Sequence, residues 1–294
     1  MNTKVKIQHY VPRFYLNNFV IKPKKHSVYC YEKTKSKCFE VSTKKIASES
    51  YFYDLSNEEE QRIEEALNLI ESSFAPVYKK ILVNEDLGSL TSDERETVAL
   101  FVVAQEQRTR EKRETIADTM KQLKQRLYRE TRSEEFKERY GIDKWDTEEE
   151  IKSLHLSTFR QIPLYTEITL QMKWILFINH TTMPFWTSDH PVNRFNPVDA
   201  KPYGNLGLLC KGIEIHFPLS PKMVLSFCDP KTYELLPSRY EIKDIQNVEF
   251  ENWLQVAHST RYLFSDTNDF TFAERILRDN LSLREIDRKR IQVN

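Results

Sequence analysis

The opening stretch Gln8-His9-Tyr10-Val11-Pro12-Arg13-Phe14-Tyr15-Leu16-Asn17-Asn18-Phe19 sets an imidazole, a guanidinium and several amides among large aromatics. Tyr10, Phe14, Leu16 and Phe19 give this chain end enough apolar area to be drawn inside. His9, Arg13 and Asn18 are expected to go in with them. A buried polar group without a partner costs about 1–3 kcal/mol, so the three must meet carboxylates, carbonyls, water or a ligand.

A second place of interest is the apolar run Val98-Ala99-Leu100-Phe101-Val102-Val103-Ala104. The core stripe should continue at positions 105, 108, 109 and 112, but these are Gln105, Arg108, Thr109 and Lys112. A polar break in a core stripe is where local folding rules yield, often to function. The plain alternative is that Arg108 meets a buried carboxylate and joins two elements. Asp189, in Ser188-Asp189-His190-Pro191, is the third place. It could work chemically, or cap a turn by accepting backbone N–H groups. His9, Gln105, Arg108 and Asp189 thus supply imidazole, amide, guanidinium and carboxylate, enough for acid–base work beside an anionic group. They form the expected catalytic set.

A metal reading rests on Asp189, Glu214 and His216, with His9 and His190 as further donors. Asp189 after a strand and Glu214-Ile215-His216 on a later one resemble the Asp…Glu-x-Lys arrangement of metal-dependent nucleases, in which carboxylates hold Mg²⁺ or Mn²⁺. Histidine in place of lysine departs from that pattern. No HExxH, CxxC or GxSxG occurs, so common zinc sites and the hydrolase serine elbow find no support.

Composition narrows the field. The 294 residues include five glycines, where average usage of about 7% would give roughly twenty. No GxxxxGK[ST] or GxGxxG is present, which disfavours P-loop, dinucleotide-binding and kinase readings. Four cysteines without paired spacing are expected to be reduced thiols in a cytoplasmic protein. No run approaches the length of a membrane span, and no signal segment opens the chain. Net charge is zero, yet the first fifty residues hold eleven Lys or Arg against three Glu. That excess is either a solvated, lysine-rich hairpin or a surface for nucleic acid.

The elements that must position these residues follow from periodicity. Residues 27–31 and 38–41 read as a hairpin with a charged tip. Ser56-Asn57-Glu58-Glu59 is a capping box before an amphipathic helix to about residue 83, kinked at Pro76. Thr91-Ser92-Asp93-Glu94 opens a very long helix, roughly 92 to 131. A charged excursion follows, with a short helix whose His155 has polar neighbours and no evident task. Residues 172–179 read as a buried strand partnered by 185–188, with more strands at 212–217, 223–227 and 261–265 and a helix at 242–257. Residues 276–290 read as a charged capping helix. The fold class is α+β: a helical block beside a mixed or antiparallel sheet built from N- and C-terminal strands.

The dispersed motifs Gln8-His9-Tyr10-Val11-Pro12, Tyr51-Phe52-Tyr53, Gln105, Arg108-Thr109, Ser188-Asp189-His190-Pro191, Phe217-Pro218-Leu219-Ser220-Pro221 and Arg261-Tyr262 together resemble the bacterial domain-of-unknown-function family numbered 4238. The resemblance implies one α+β domain over about 5–265, with 266–294 capping or extending it. It implies no activity and no catalytic residue. Two classes of function therefore stand. One is a metal-dependent or acid–base hydrolase of phosphodiesters, a candidate nuclease drawn to its substrate by the basic N-terminal region. The other is a recognition module for nucleic acid or protein, in which the four polar residues are a structural network.

Overall fold

A computed structural model describes residues 5–21, 26–55, 62–131, 133–200 and 204–291. The capping box at 56–59 and the lysines at 22, 24 and 25 lie outside these residues.

The opening motif forms strand β1 (Ile7–His9) and one helical turn, α1 (Arg13–Leu16). The predicted hairpin is present as β2 (Ser27–Glu32) and β3 (Lys37–Ser42), and β4 (Ser48–Ser50) returns to pair antiparallel with β1, setting His9 opposite Ser48. Of the aromatic trio, Phe52 and Tyr53 are buried and Tyr51 is exposed.

Helix α2 (Arg62–Asn84) contains Pro76, as read from the sequence. The very long helix is a correction: two helices stand in its place, α3 (Ser92–Gln107) and α4 (Arg110–Glu130), and the longest helix described is α2 at 23 residues. The chain breaks where the polar residues interrupt the stripe. Thr109 adopts extended dihedrals, φ −82° and ψ 160°, and its hydroxyl accepts from the Lys112 amide to start α4, a capping role that fits its type. The Arg108 carbonyl accepts from the buried Tyr53 hydroxyl at 3.2 Å. Polar residues 105–112 therefore turn the chain instead of continuing a stripe. The expected Thr91 capping box does open α3.

The charged excursion holds α5 (Glu134–Arg139) and α6 (Glu148–Ser157), then α7 (Ile162–Leu170) with Pro163 in its first turn. Strand β5 (Lys173–Asn179) follows, but it does not pair with residues 185–188 as expected. Instead β6 (Thr187–Ser188) joins the sheet of the N-terminal hairpin. The remaining elements are β7 (Asn193–Phe195), β8 (Glu214–Ser220), β9 (Met223–Cys228), β10 (Arg239–Ile242), α8 (Ile245–His258), β11 (Tyr262–Ser265) and α9 (Thr271–Asp279). One sheet is β3-β2-β11-β6, antiparallel throughout and built from both ends of the chain. The other is β10-β5-β9-β8-β7, mixed because β10 runs parallel to β5. The last helix is shorter than expected and starts earlier. Beyond it Arg288 is buried instead of lying on a solvated helix face.

The motif and the helical block meet in an aromatic core. Phe74 and Phe101 stack with ring centroids 3.9 Å apart, and Phe14 meets Phe101 edge-on at 5.7 Å. Tyr15 stacks on Phe217 of β8 at 5.0 Å, while its hydroxyl donates to the Pro218 carbonyl at 2.7 Å. One short helical turn thereby fixes the chain start against both α-helices and the mixed sheet.

Candidate functional site

The terminal motif lies against the end of α3, the place the polar interruption pointed to. Gln105 Nε2 donates to the Tyr10 carbonyl at 2.9 Å, and Arg108 Nη2 donates to the His9 carbonyl at 2.6 Å. Arg108 also reaches the Tyr53 hydroxyl through Nε at 3.1 Å and Glu71 through Nη1 at 2.6 Å. Gln105 and Arg108 are both buried. A planar fork saturated on three sides suits a fastener, holding strand β1, helix α2 and the α3–α4 break together.

Asp189 stands in a different environment. Its two oxygens accept from the amides of Thr260 (2.9 Å), Arg261 (2.8 Å) and Tyr262 (3.0 Å) at the start of β11. Burial pushes its carboxyl upward, against the pull of the Lys33 ammonium and the amide donors. Lys33 belongs to the hairpin tip expected in solvent, yet it is fully buried and donates to the carbonyls of Val256 (2.8 Å) and Ser259 (2.6 Å). Burial lowers its pKa. Beside them Glu111 receives Arg288 Nη2 at 2.8 Å, Arg290 Nε at 2.8 Å and the Thr260 hydroxyl at 2.7 Å. The C-terminal segment is thus stitched into α4 through one buried carboxylate.

The third group is on the mixed sheet. His216 is buried with Nδ1 2.9 Å from Glu251 and Nε2 2.9 Å from Glu214. Burial opposes protonation of this ring, but the carboxylates on either side outweigh it and raise its pKa to about 10. Each imidazole nitrogen faces its own carboxylate, so the arrangement is an ion triad and leaves no lone pair for a metal. Glu214 and His216 come together as the strand pattern implied, whereas Asp189 is engaged at β11. Among the described residues no cluster of three or more His, Cys, Asp or Glu is arranged to hold a metal ion.

The expected catalytic residues therefore divide. His9 and Arg108 line one open cleft of about 390 Å³, shared with Arg13, Asn17, Glu64, Asn68 and Glu71. Gln105 and Asp189 do not line it. Arg13 is exposed, a correction to its expected burial, and His9 is half-buried. His9 Nε2 and Glu64 Oε2 are closed to solvent and have no hydrogen-bond partner among the described residues. Burial lowers the His9 pKa, with Arg13 adding to the effect, so the ring is neutral at pH 7. Burial raises Glu64 to about 7, with Arg108 pulling the other way. A neutral imidazole and a carboxyl half-protonated at neutral pH are a base and an acid in their working states. Exposed Lys44 and Lys45 lie on the turn behind His9, whose ring is approached by the Thr43 and Lys44 backbone.

Sequence reading missed Glu64, although Glu64, Asn68 and Glu71 recur at helical spacing and mark a polar face of α2 toward the motif. It also passed over His155, which is buried. Its Nε2 lies 2.8 Å from the Gln107 carbonyl, and burial lowers its pKa to about 3. Glu111 and Lys33 offered no signal, because single charges in charged segments look solvated.

A larger apolar pocket of about 1290 Å³ between α7, the 208–211 turn and the 229–232 turn includes none of the candidate residues. No helix among the described residues is long and apolar enough to cross a membrane. No curated protein and no solved structure matches the chain. The motif that builds the cleft, the Arg108 fastener and the Asp189 bracket all fall within residues 7–269, which match the family model described as Protein of unknown function (DUF4238), and the chain belongs to that family.

Proposed function

We propose that the protein is a cytoplasmic hydrolase of nucleic-acid phosphodiesters that works by acid–base catalysis at the His9 cleft. The observation that carries this reading is the convergence of His9, Arg13, Glu64 and Arg108 on one opening, with neutral His9 and a Glu64 carboxyl held at about 7. Among the described residues that line the cleft there is no Ser, Thr or Cys. An acid and a base without a side-chain nucleophile suit a substrate that brings its own, as RNA does with its 2′-hydroxyl. In that reaction His9 takes the 2′-hydroxyl proton as the oxygen attacks phosphorus. Glu64 returns a proton to the departing 5′-oxygen, leaving a 2′,3′-cyclic phosphate, which water then opens with Glu64 as base and His9 as acid, restoring both groups. Arg13 holds the phosphate oxygens, Arg108 fixes the floor, and Lys44 and Lys45 add salt-sensitive attraction.

The test is incubation with single- and double-stranded RNA and DNA, with and without Mg²⁺ or Mn²⁺. Each of His9→Ala and Glu64→Gln is expected to lower RNA turnover by about 10²–10⁴-fold. Intact RNA after incubation with folded wild-type protein, under every metal condition, sinks the proposal. A recognition module is the second reading, favoured by the engagement of Arg108 with Glu71, Tyr53 and the His9 carbonyl, of the Gln105 amide with the Tyr10 carbonyl, and of Asp189 with three backbone amides. Salt-sensitive binding that survives both variants and never yields product would select it.

A further inference from the structure

A second pocket, of about 900 Å³, opens between β2, the 182–186 segment, α8 and α9. Its floor is aromatic: Trp186 lies 5.1 Å from Phe270 and 6.2 Å from Phe272 between ring centroids. Trp186 is 1% exposed and Tyr31 0%. Both line the pocket, yet the indole Nε1 and the phenol hydroxyl have no hydrogen-bond partner among the described residues. Ser36 lies beside the Tyr31 hydroxyl without closing a bond of good geometry. Two buried polar atoms without partners under one opening destabilise the empty pocket, and a ligand that supplies acceptors relieves this.

The rim carries both charges. Arg275 is occupied, donating to Glu249 at 3.0 Å and lying 4.9 Å over the Phe272 ring. Arg278 is exposed and reaches only to 3.9 Å from its neighbour Asp279. Arg284 donates Nε to the Leu277 carbonyl at 3.3 Å, and among the described residues its terminal nitrogens are left for an anion. Glu274 and Asp269 share the rim, where Asp269 Oδ1 already accepts from the Thr271 amide at 3.0 Å.

We propose that this pocket binds a nucleotide, with a heteroaromatic base on the Trp186–Phe272 floor and the phosphate at Arg278 and Arg284. The base supplies ring acceptors to the indole N–H and the Tyr31 hydroxyl. An aromatic amino acid would satisfy the rim charges but offers the floor no ring nitrogen acceptor. A free mononucleotide and the phosphorylated end of a strand share this chemistry. The inference stands apart from the His9 cleft, since the pocket shares no residue with it.

Calorimetric titration of the full chain with the four ribonucleoside monophosphates, the nucleosides, a 5′-phosphorylated trinucleotide, tryptophan and inorganic phosphate tests it. A monophosphate should bind about tenfold or more tightly than its nucleoside. Arg278→Gln with Arg284→Gln should erase that difference while leaving the nucleoside affinity in place, and Trp186→Phe should weaken nucleotide and nucleoside alike. The trinucleotide separates the two sources: tighter binding than the monophosphate marks a strand end, equal binding a free nucleotide. His9→Ala should change none of these affinities. No saturable binding of any nucleotide, tryptophan binding in its place, or affinity unmoved by the double arginine variant overturns the proposal. The arginine side chains lie on the rim, so that variant decides the matter even where Trp186→Phe does not fold.

Discussion

The Glu111 network and the His9 cleft use the same kinds of side chain and differ in saturation. Around Glu111, two arginines and a hydroxyl converge on one buried carboxylate, while three amides close on Asp189 and two carbonyls on Lys33. Around His9, a half-buried imidazole and a half-buried carboxyl each keep an atom without a partner among the described residues, and Arg13 lines the opening. Satisfied charges in low dielectric rigidify a fold, and unsatisfied ones are strained until something arrives. Burial alone thus does not separate structure from function here; the state of the partners does.

The sharpest way to break this contrast is Glu111→Ala, which strands Arg288 and Arg290. Loss of one side of a buried ion cluster costs about 3–5 kcal/mol, and urea unfolding should show it. An unchanged midpoint would mean that the network does not hold the C-terminal segment.

His216→Gln comes next, because it leaves Glu214 and Glu251 facing each other at a cost of about 3–5 kcal/mol near pH 6. The raised pKa sets the pH window. The imidazolium's contribution is complete below 6.5 and is lost as pH rises through about 10. The difference between variant and wild type should therefore shrink toward pH 10, and a pH-independent difference would contradict the ion triad.

Gln105→Ala removes the donor to the Tyr10 carbonyl, with an expected loss of about 1–3 kcal/mol in thermal or urea unfolding. A loss of this size makes Gln105 a structural tie to the opening motif. A fully stable variant with altered activity would move it to the cleft.

The cleft variants should affect stability least and activity most. Arg13→Gln should stay within about 0.5 kcal/mol of wild type, as surface substitutions do, while raising KM for RNA. Glu64 rises from 4.5 to about 7 on folding, so its favourable effect is complete below pH 4.5 and lost as pH passes 7. Glu64→Gln should accordingly melt with wild type at pH 4 and above it at pH 8. In wild type, the acid limb of the rate profile follows His9 protonation below 6.5 and the alkaline limb follows Glu64 near 7. An alkaline limb that persists in Glu64→Gln would take the acid role away from this residue.

Much of the framework was legible in local pattern. The Thr91 capping box, the apolar run at 98–104, the hairpin around residues 32–37 and the strands of 214–228 all follow from short-range periodicity, and each is present. The same reasoning carried the long helix through residue 109, where Thr109 ends it. A threonine is neutral in a helix until its hydroxyl finds a backbone amide to cap, and here His190 Nδ1 also meets that hydroxyl at 2.6 Å. The strand at 187–188 went to the wrong sheet because pairing is settled between segments, not within one. Lys33, Glu111, His155 and Arg288 looked like solvated charges because nothing within a few residues of each shows what covers it.

The sequence by itself determined the helices from about residue 62 and from Ser92, the N-terminal hairpin and the strands of 173–179 and 214–228, and that His9, Gln105 and Arg108 sit in apolar surroundings demanding partners. Those are consequences of spacing and side-chain chemistry over about a dozen residues. Only the tertiary structure decided which partners they meet. It joined Asp189 to β11 across 73 residues, Arg108 to β1 across 99, and Glu111 to the C-terminal segment across 177. A charge at a given position is worth little in water and a great deal once desolvated, and desolvation is a property of the whole packed chain.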